Sequence, residues 1–317
     1  MRMSLKYLFM KHLSLRLATV SALATLSALA ALAISPSLAT AGTILFIGND
    51  GATPGIFTPT DTAMFNRLTG VLGHTVTMMD DNNVAAPGLA AAMDMIIISN
   101  TASSGAVANV WGTIPGTDND GSNLRAYGHP ILNFQGGTNV VVPMGLIGNT
   151  APAIGNGTFT NDSMNILLPA HPLAAGLSGL LPVVTGAPGT VPFSSFGTES
   201  GATLGRKIVA DADIVGTYFT AALGGHQLGG IVALELGDAL GNPLADANYI
   251  AAAPSRRVNL FLEKTTFDVL NADGLKLFDA AVGYTMAGPK VPEPSTVVLT
   301  GLALLGLVAR RVVRREK

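Results

Sequence analysis

The sequence predicts an α/β domain with a mostly parallel sheet, helices on both faces of that sheet, and a β-rich insertion in the second half of the chain. Short apolar runs alternate with segments of helical periodicity through the first half, an order that is typical of a parallel sheet. The runs are apolar at consecutive positions, which indicates strands that are buried on both faces. Each run ends at a cluster of Gly, Asn, Asp or Ser residues, which marks a turn.

Four strands are predicted in the first half, at residues 43–48, 74–79, 95–99 and 130–134. Between the first two strands, Thr60 and Asp61 are expected to cap a helix that continues to Leu72, because side-chain oxygens favour helix N-termini. Gly73 supplies the stop signal for that helix. A second, short helix is predicted at 89–93, before the third strand.

The second half is less regular, with shorter apolar runs separated by polar segments. Its strands are predicted at residues 165–168, 207–209, 214–218, 230–235 and 257–262, with a loop or an edge hairpin at 182–201. The last element is a helix over 271–284 that Asn271 caps. Its apolar residues recur at helical spacing, at Leu275, Phe278, Ala281 and Val282.

The central part of the chain is acidic and has no cysteine. Residues 42–290 contain nine Lys and Arg against 18 Asp and Glu, a net charge of about −9, because most basic residues lie near the two ends. An acidic domain disfavours nucleic acid and anionic lipid as partners. The absence of cysteine from the sequence excludes disulfides, a thiol nucleophile and a zinc–thiolate site.

The N-terminal segment has the pattern of a secretory signal peptide. Four basic residues precede an apolar run at 17–34, and Ala39-Thr40-Ala41 then offers a cleavage site before Gly42. An uncleaved N-terminal anchor is the alternative.

The C-terminal segment combines three features in order. Val291, Pro292, Glu293 and Pro294 form a short motif, an uncharged run follows at 296–309, and the chain then ends in arginines and a lysine. The prolines keep the motif extended, and the uncharged run spans about 21 Å as a helix. The basic end would hold a transmembrane helix with its C-terminus on the cytoplasmic side. This tail resembles the PEP-CTERM sorting signal of exported bacterial proteins, and a plain membrane anchor is the alternative.

The PEP-CTERM resemblance implies a route and a set of partners. It implies export through the inner membrane and cutting by an exosortase, a membrane protease, near the motif. The expected partners are signal peptidase, the exosortase-type protease, the inner membrane transiently, and extracellular polysaccharide. The chain would then divide into a signal peptide at 1–41, an α/β domain at 42–290 and a sorting signal at 291–317. The processed protein would lie at the cell surface or outside the cell.

Three segments of the central domain occur in an order seen in another family. Residues 73–76, Gly-His-Thr-Val, lead into the second strand. Residues 171–177, His-Pro-Leu-Ala-Ala-Gly-Leu, lie in the middle, and residues 257–262, Arg-Val-Asn-Leu-Phe-Leu, precede the closing helix. Together with the glycine-ended first strand, they resemble the class I glutamine-amidotransferase-like fold, especially its trehalose-utilisation-type relatives. The resemblance implies a flavodoxin-like sheet.

The catalytic residues of that family are missing. In active members, a cysteine occupies a sharp turn after the strand that residues 130–134 resemble, and a histidine and a glutamate follow the last strands. Gln135 stands at the turn here, and Glu263 follows the last strand without a histidine beside it. Because a glutamine amide is not a nucleophile, the resemblance implies a domain without amidotransferase chemistry. Gln135 is expected to donate hydrogen bonds within the turn.

Polar residues follow the first two strands, at the edge of the sheet where α/β folds place ligand sites. Asn49 and Asp50 follow the first strand, and Asp80 and Asp81 follow the second. They could converge on a sugar or a cation, and a turn-forming or solvated role explains each of them alone. An extracellular carbohydrate-active hydrolase that uses Asp50 and Asp81 is therefore the alternative to a non-catalytic domain with a binding or structural role near the exopolysaccharide matrix.

A calcium site is a weaker hypothesis. Asp118 and Asp120 begin a segment with alternating oxygen ligands and a glycine, which resembles half of a calcium loop. The distal acidic ligand is missing, since the next acid is Asp162, so a polar turn is the alternative. The histidines have no metal-ligand spacing, and no cofactor is expected.

Overall fold

The computed structural model describes residues 41–51, 55–111, 124, 127–141, 143–147, 156–187, 189–197, 207–219, 227–241 and 251–287. These residues belong to one compact unit. The predicted signal peptide up to residue 40, the half calcium loop with Asp118 and Asp120, and the tail from residue 288 lie outside them. Among the residues described, no helix combines the length and the apolar character needed to cross a bilayer.

The described residues contain eleven strands. In chain order they are β1 Thr43–Gly48, β2 Thr75–Asp80, β3 Met95–Ile98, β4 Ile131–Asn133, β5 Asn156–Asn161, β6 Ser163–Ile166, β7 Gly179–Pro182, β8 Val191–Phe196, β9 Asp213–Phe219, β10 Gln227–Leu234 and β11 Arg257–Leu260.

Five α-helices lie in the same ranges of the chain. They are α1 Pro59–Asn66, α2 Ala86–Ala90, α3 Ser104–Trp111, α4 Thr138–Val141 and α5 Ala272–Met286. A π-helical turn at Arg67–Val71 continues α1, and two 3-10 turns occur at Pro172–Ala174 and Phe267–Val269.

Within this part of the chain, nine strands form one mixed sheet in the order β2-β1-β3-β4-β11-β10-β9-β6-β7. The first five strands of this order pair in parallel, and the other pairs are antiparallel. Strands β5 and β8 form a separate antiparallel pair. The prediction of a mixed α/β domain with a large, mostly parallel sheet is confirmed. The carboxyl ends of β2, β1, β3, β4 and β11 lie at one edge, here called the carboxyl edge.

Helices cover both faces of the parallel strands. Ile44 and Phe46 of β1 pack in a core with residues of α1 and α5, whereas Leu45 and Ile47 pack in a second core with residues of α2 and α3. Successive side chains of a strand point to opposite faces. The continuous apolar run of β1 is therefore explained by burial on both faces.

The largest differences from the sequence prediction lie in the polar segments. Strands β5 and β7 were not predicted. Strand β8 falls inside the segment expected to be a loop or an edge hairpin, and it pairs with β5. Helix α2 occupies 86–90 and not 89–93, with Pro87 in its first turn. Helix α1 is capped by Thr58 and not by Thr60 and Asp61, because Pro59 takes the first helical position.

Candidate functional site

A cavity of about 460 Å³ opens at the carboxyl edge. It lies where β1, β3 and β11 end and where α1 begins. Among the described residues, its lining is polar apart from one proline, and consists of Asn49, Thr58, Pro59, Thr60, Thr101, Lys264, Thr265 and Asp268. The lining offers hydroxyl, amide, ammonium and carboxylate groups, and it has no aromatic side chain.

Asp61 is a fully buried carboxylate directly behind this lining. Its two oxygens accept hydrogen bonds of 2.6 Å each, one from the Ser99 hydroxyl and one from the Thr101 hydroxyl. Burial raises the pKa of Asp61, and the bonds from Ser99, Thr101 and Thr58 and from the Asn49 backbone oppose that shift. The carboxylate is thus held by neutral donors, in a place where desolvation is costly.

The start of α1 brings Asp61 to this position. Thr58 caps the helix by accepting a hydrogen bond of 3.1 Å from the Asp61 N–H. The last residue of β1 is Gly48, and a Cβ at that position would lie only 2.8 Å from Asp61 Oδ2. Because glycine lacks this atom, the carboxylate can approach the end of β1 closely.

The outer wall of the cavity comes from the segment after β11. Lys264, Thr265 and Asp268 are exposed there. Asp268 accepts a hydrogen bond of 2.5 Å from the Thr60 hydroxyl, which joins this segment to α1. These residues carried no predicted function, and Asp61 was predicted only as part of a helix cap, because nothing in a single sequence shows that the two segments meet.

Glu263 lies next to the cavity segment in a second network of hydroxyl groups. Its Oε2 accepts hydrogen bonds from Ser194 Oγ at 3.0 Å and from Thr158 Oγ1 at 2.8 Å. Asn100 in turn donates to Ser194 Oγ at 2.5 Å. Glu263 and Ser194 are buried, so this network ties the ends of β3 and β11 to the β5–β8 pair.

Gln135 follows β4 at the turn that the sequence analysis singled out. Its Nε2 donates to the Ala102 carbonyl at 2.6 Å, and its Oε1 accepts from the Gly137 N–H at 2.9 Å. The side chain therefore connects the turn after β4 to the loop after β3.

Asp50, Asp80 and Asp81 form a group beside the cavity and do not line it. Asp81 is buried and accepts hydrogen bonds from Asn49 Nδ2 at 3.3 Å and from the Ser103 N–H at 2.5 Å. Asp50 accepts from the Gly55 N–H at 2.9 Å, and Asp80 accepts from the Asp50 N–H at 3.0 Å. Burial raises the pKa of Asp81, and the negative charges of Asp80 and Asp50 add to that effect.

The described residues contain no cluster of three or more His, Asp or Glu side chains that could hold a metal ion. His74 accepts a hydrogen bond from the Gly42 N–H at 3.1 Å, and His171 accepts one from the Leu173 N–H at 3.2 Å. Both contacts are structural.

A buried ionic cluster lies away from the cavity, around the start of β11. Arg256 pairs with Glu235 at 2.8 Å, and its guanidinium carbon lies 3.9 Å from the centre of the Tyr284 ring. The Tyr284 hydroxyl contacts both Glu235 and His171. The neighbouring Arg257 is fully buried, which lowers its pKa to about 9. Arg256 therefore joins the end of β10 and the last turns of α5 to the start of β11, whereas Arg257 donates to the carbonyls of Tyr127 and His129 before β4.

Comparison with known proteins agrees with the prediction for the C-terminal tail. A family model of the PEP-CTERM protein-sorting motif matches residues 290–315. A crystal structure of a protein described as thua-like, from Bacteroides uniformis, matches with a TM-score of 0.43 and 11% identity, and covers 80% of this chain and 95% of that one. No curated protein matches the sequence. The chain therefore carries a C-terminal PEP-CTERM sorting motif, which indicates an exported protein that is targeted by exosortase.

Proposed function

We propose that residues 42–290 form a non-catalytic binding domain whose cavity takes a neutral, hydroxyl-rich ligand, a saccharide unit of the extracellular polysaccharide matrix. The cavity of about 460 Å³ at the carboxyl edge, which is lined mostly by residues with polar side chains, carries this proposal. In α/β sheets, ligands bind outside the carboxyl ends of the strands. The cavity also falls within the range of about 300–1,000 Å³ that small-molecule sites occupy.

The chemistry of the lining supports a sugar over an apolar or a strongly charged ligand. Four threonine hydroxyls and the Asn49 amide place oxygen acceptors in the lining. The hydroxyl hydrogens of Thr60 and Thr101 are already donated to Asp268 and Asp61, so the lining suits a ligand whose many hydroxyl groups can donate. Lys264 and Asp268 oppose each other in charge, so the described lining has no net charge. Since the described lining has no aromatic side chain on which a sugar could stack, each site would bind weakly, and several molecules acting on one polymer would give stronger binding.

The arrangement of the family's catalytic positions supports binding without catalysis. Gln135 uses both ends of its amide on neighbouring backbone groups. The oxygen of Glu263 accepts from two hydroxyl groups, Ser194 and Thr158. The sequence supplies no thiol. Neither position offers a base beside an accessible nucleophile.

The sorting motif supports the location of this binding. Signal peptidase would cut after Ala41, an exosortase would act near Pro292-Glu293-Pro294, and the inner membrane would hold the chain only transiently. The processed domain would then lie at the cell surface or outside the cell, where it would meet the polysaccharide that we propose as its ligand.

A titration of the exported protein with oligosaccharides tests the proposal. The probe is a size-fractionated hydrolysate of the host's exopolysaccharide, and binding is measured by calorimetry. Thr265→Val removes a hydroxyl from the lining, whereas Thr62→Val removes an exposed hydroxyl of α1 that does not line the cavity. Thr265→Val should weaken binding by up to about tenfold, the effect of one hydrogen bond, and Thr62→Val should leave it unchanged. Absence of saccharide binding, or equal losses in both variants, would contradict the proposal.

The hydrolase alternative rests on Asp81. Its pKa is raised by burial, and the charge of Asp50 contributes, so the two carboxylates are close enough to interact. Incubation with the same oligosaccharides should produce no new reducing ends if the domain only binds. If the wild-type protein produced new reducing ends and Asp81→Asn did not, the binding proposal would be wrong and the domain would be a hydrolase.

A further inference from the structure

The corner where β1 begins fixes the residue that follows the predicted signal-peptide cleavage site. Ala41 is exposed, whereas the Gly42 N–H donates to Nδ1 of the buried His74 at 3.1 Å. The Gly42 carbonyl accepts a hydrogen bond of 2.9 Å from the Thr75 N–H. Gly42 is therefore part of the β1–β2 edge and follows the exposed Ala41 directly.

Asp94 brings a carboxylate to the same corner. Its Oδ2 accepts hydrogen bonds from the Thr43 N–H at 2.7 Å and from the Thr43 hydroxyl at 2.9 Å. The same oxygen lies 3.1 Å from the place that a Cβ on Gly42 would occupy. The Thr43 hydrogen bonds lower the pKa of Asp94, so the carboxylate is ionised at neutral pH.

We propose that cleavage before Gly42 creates an α-ammonium group that His74 and Asp94 bind, so that the cut end becomes a structural part of the domain. Hydrolysis of the Ala41–Gly42 bond consumes one water, leaves a carboxylate on Ala41 and gives the Gly42 nitrogen three N–H donors and a positive charge. One donor keeps the bond to His74, and the charge faces Asp94. The uncut precursor has a neutral amide with one donor at this place and lacks the ion pair.

The other groups at this corner fit a glycine terminus. Burial lowers the pKa of His74, which keeps the ring neutral and leaves Nδ1 able to accept. A Cβ at position 42 would collide with the Met286 methyl group, so that methyl covers the site only because residue 42 is glycine. His129 is the further titratable group here, since its charge acts on Asp94.

The test uses the exported full chain, purified after processing and grown with isotope-labelled glycine. Mass analysis first establishes that it begins at Gly42, and NMR then follows the titration of the Gly42 amine. A free α-amino group titrates near about 7.7–8.0. In the wild-type protein the pKa should lie above that range by about 0.5 or more, because an opposite charge favours the ammonium form. Asp94→Asn keeps an oxygen acceptor for Thr43 but removes the negative charge. In this variant the pKa of the Gly42 amine should fall back toward that of a free α-amino group.

An insertion variant keeps the test decisive if Asp94→Asn folds poorly. One alanine added between Ala41 and Gly42 moves the ammonium by about 3.8 Å and leaves Asp94 and the Gly42 N–H bond in place. Its terminal amine should titrate in the ordinary range. An equal pKa in the wild-type protein and the insertion variant, or a mature chain that begins elsewhere than at Gly42, would overturn the proposal. Saccharide binding at the carboxyl edge is unaffected by either result.

Discussion

The Thr101 hydroxyl stands between the cavity and the buried carboxylate of Asp61, to which it donates a hydrogen bond of 2.6 Å. The hydroxyl hydrogen of Thr101 is used by Asp61, so toward the cavity Thr101 presents its oxygen lone pairs. A ligand hydroxyl that donates to Thr101 would extend the chain of hydrogen bonds to the carboxylate. The carboxylate would thereby influence such a ligand without touching it.

Asp61→Asn should remove a pH dependence of stability. Because burial raises the pKa of Asp61, the native state holds this proton more tightly than the unfolded state. The wild-type protein should therefore lose stability as pH rises from about 4 through the higher native pKa, by about 1.4 kcal/mol for each unit of difference. Denaturant unfolding at about pH 4 and about pH 7 measures this loss. An equal loss in Asp61→Asn would show that another group is responsible.

Gln135→Ala should reduce stability and leave ligand binding intact. The change leaves the Ala102 carbonyl and the Gly137 N–H without their side-chain partner, which costs about 1–3 kcal/mol for a buried group. The free energy of unfolding and the saccharide affinity are measured on the same preparation. A selective loss of binding or of any activity, without a loss of stability, would give Gln135 a functional role.

Arg256→Ala should destabilise the domain more than the same change at a less buried arginine. Arg256 is buried and pairs with the partly exposed Glu235, whereas both partners of the Arg67–Asp279 pair are partly exposed. Removing one partner of a buried pair costs about 3–5 kcal/mol, and the loss should be smaller at Arg67, because water can reach both of its charges. Chemical denaturation of Arg256→Ala and Arg67→Ala makes the comparison, and similar losses would mean that the buried cluster contributes little.

Pro294→Ala should impair processing at the C-terminal tail. Pro294 lies within the matched sorting motif, and Pro289 lies just before it, so Pro289→Ala is the control. Intact-mass analysis of medium and membrane fractions should find a released form that ends near the motif in the wild-type protein and in Pro289→Ala. Pro294→Ala should remain in the membrane with its basic end. If both variants were released to the same extent, Pro294 would not be required for recognition by the processing protease.

The sequence predicts the parallel strands well because their signal is local. Strand β1 occupies the predicted residues Thr43–Gly48, since burial on both faces demands an uninterrupted apolar run. Strands β5 and β8 pair mainly with each other. Segments such as Asn156–Asn161 lack that run, so no periodicity marks them.

Asp61 shows why the candidate site was harder to predict. An acidic residue near a helix start is explained by favourable contact with the helix N-terminus, and the sequence analysis assigned it that role. Its burial depends on Gly48, Ser99 and Thr101, which come from two other strand ends. Asp50 and Asp81 were predicted from their place after strands, and the structure puts them beside the cavity.

The contact between position 42 and Met286 has a mechanical consequence. The first residue of the predicted mature chain and the last turn of α5 meet at the amino end of β1, so these two parts of the described chain lie at one pole of the sheet. The cavity opens at the opposite pole, where the parallel strands finish. Cleavage before Gly42 would therefore act on the end of the domain that lies away from the cavity.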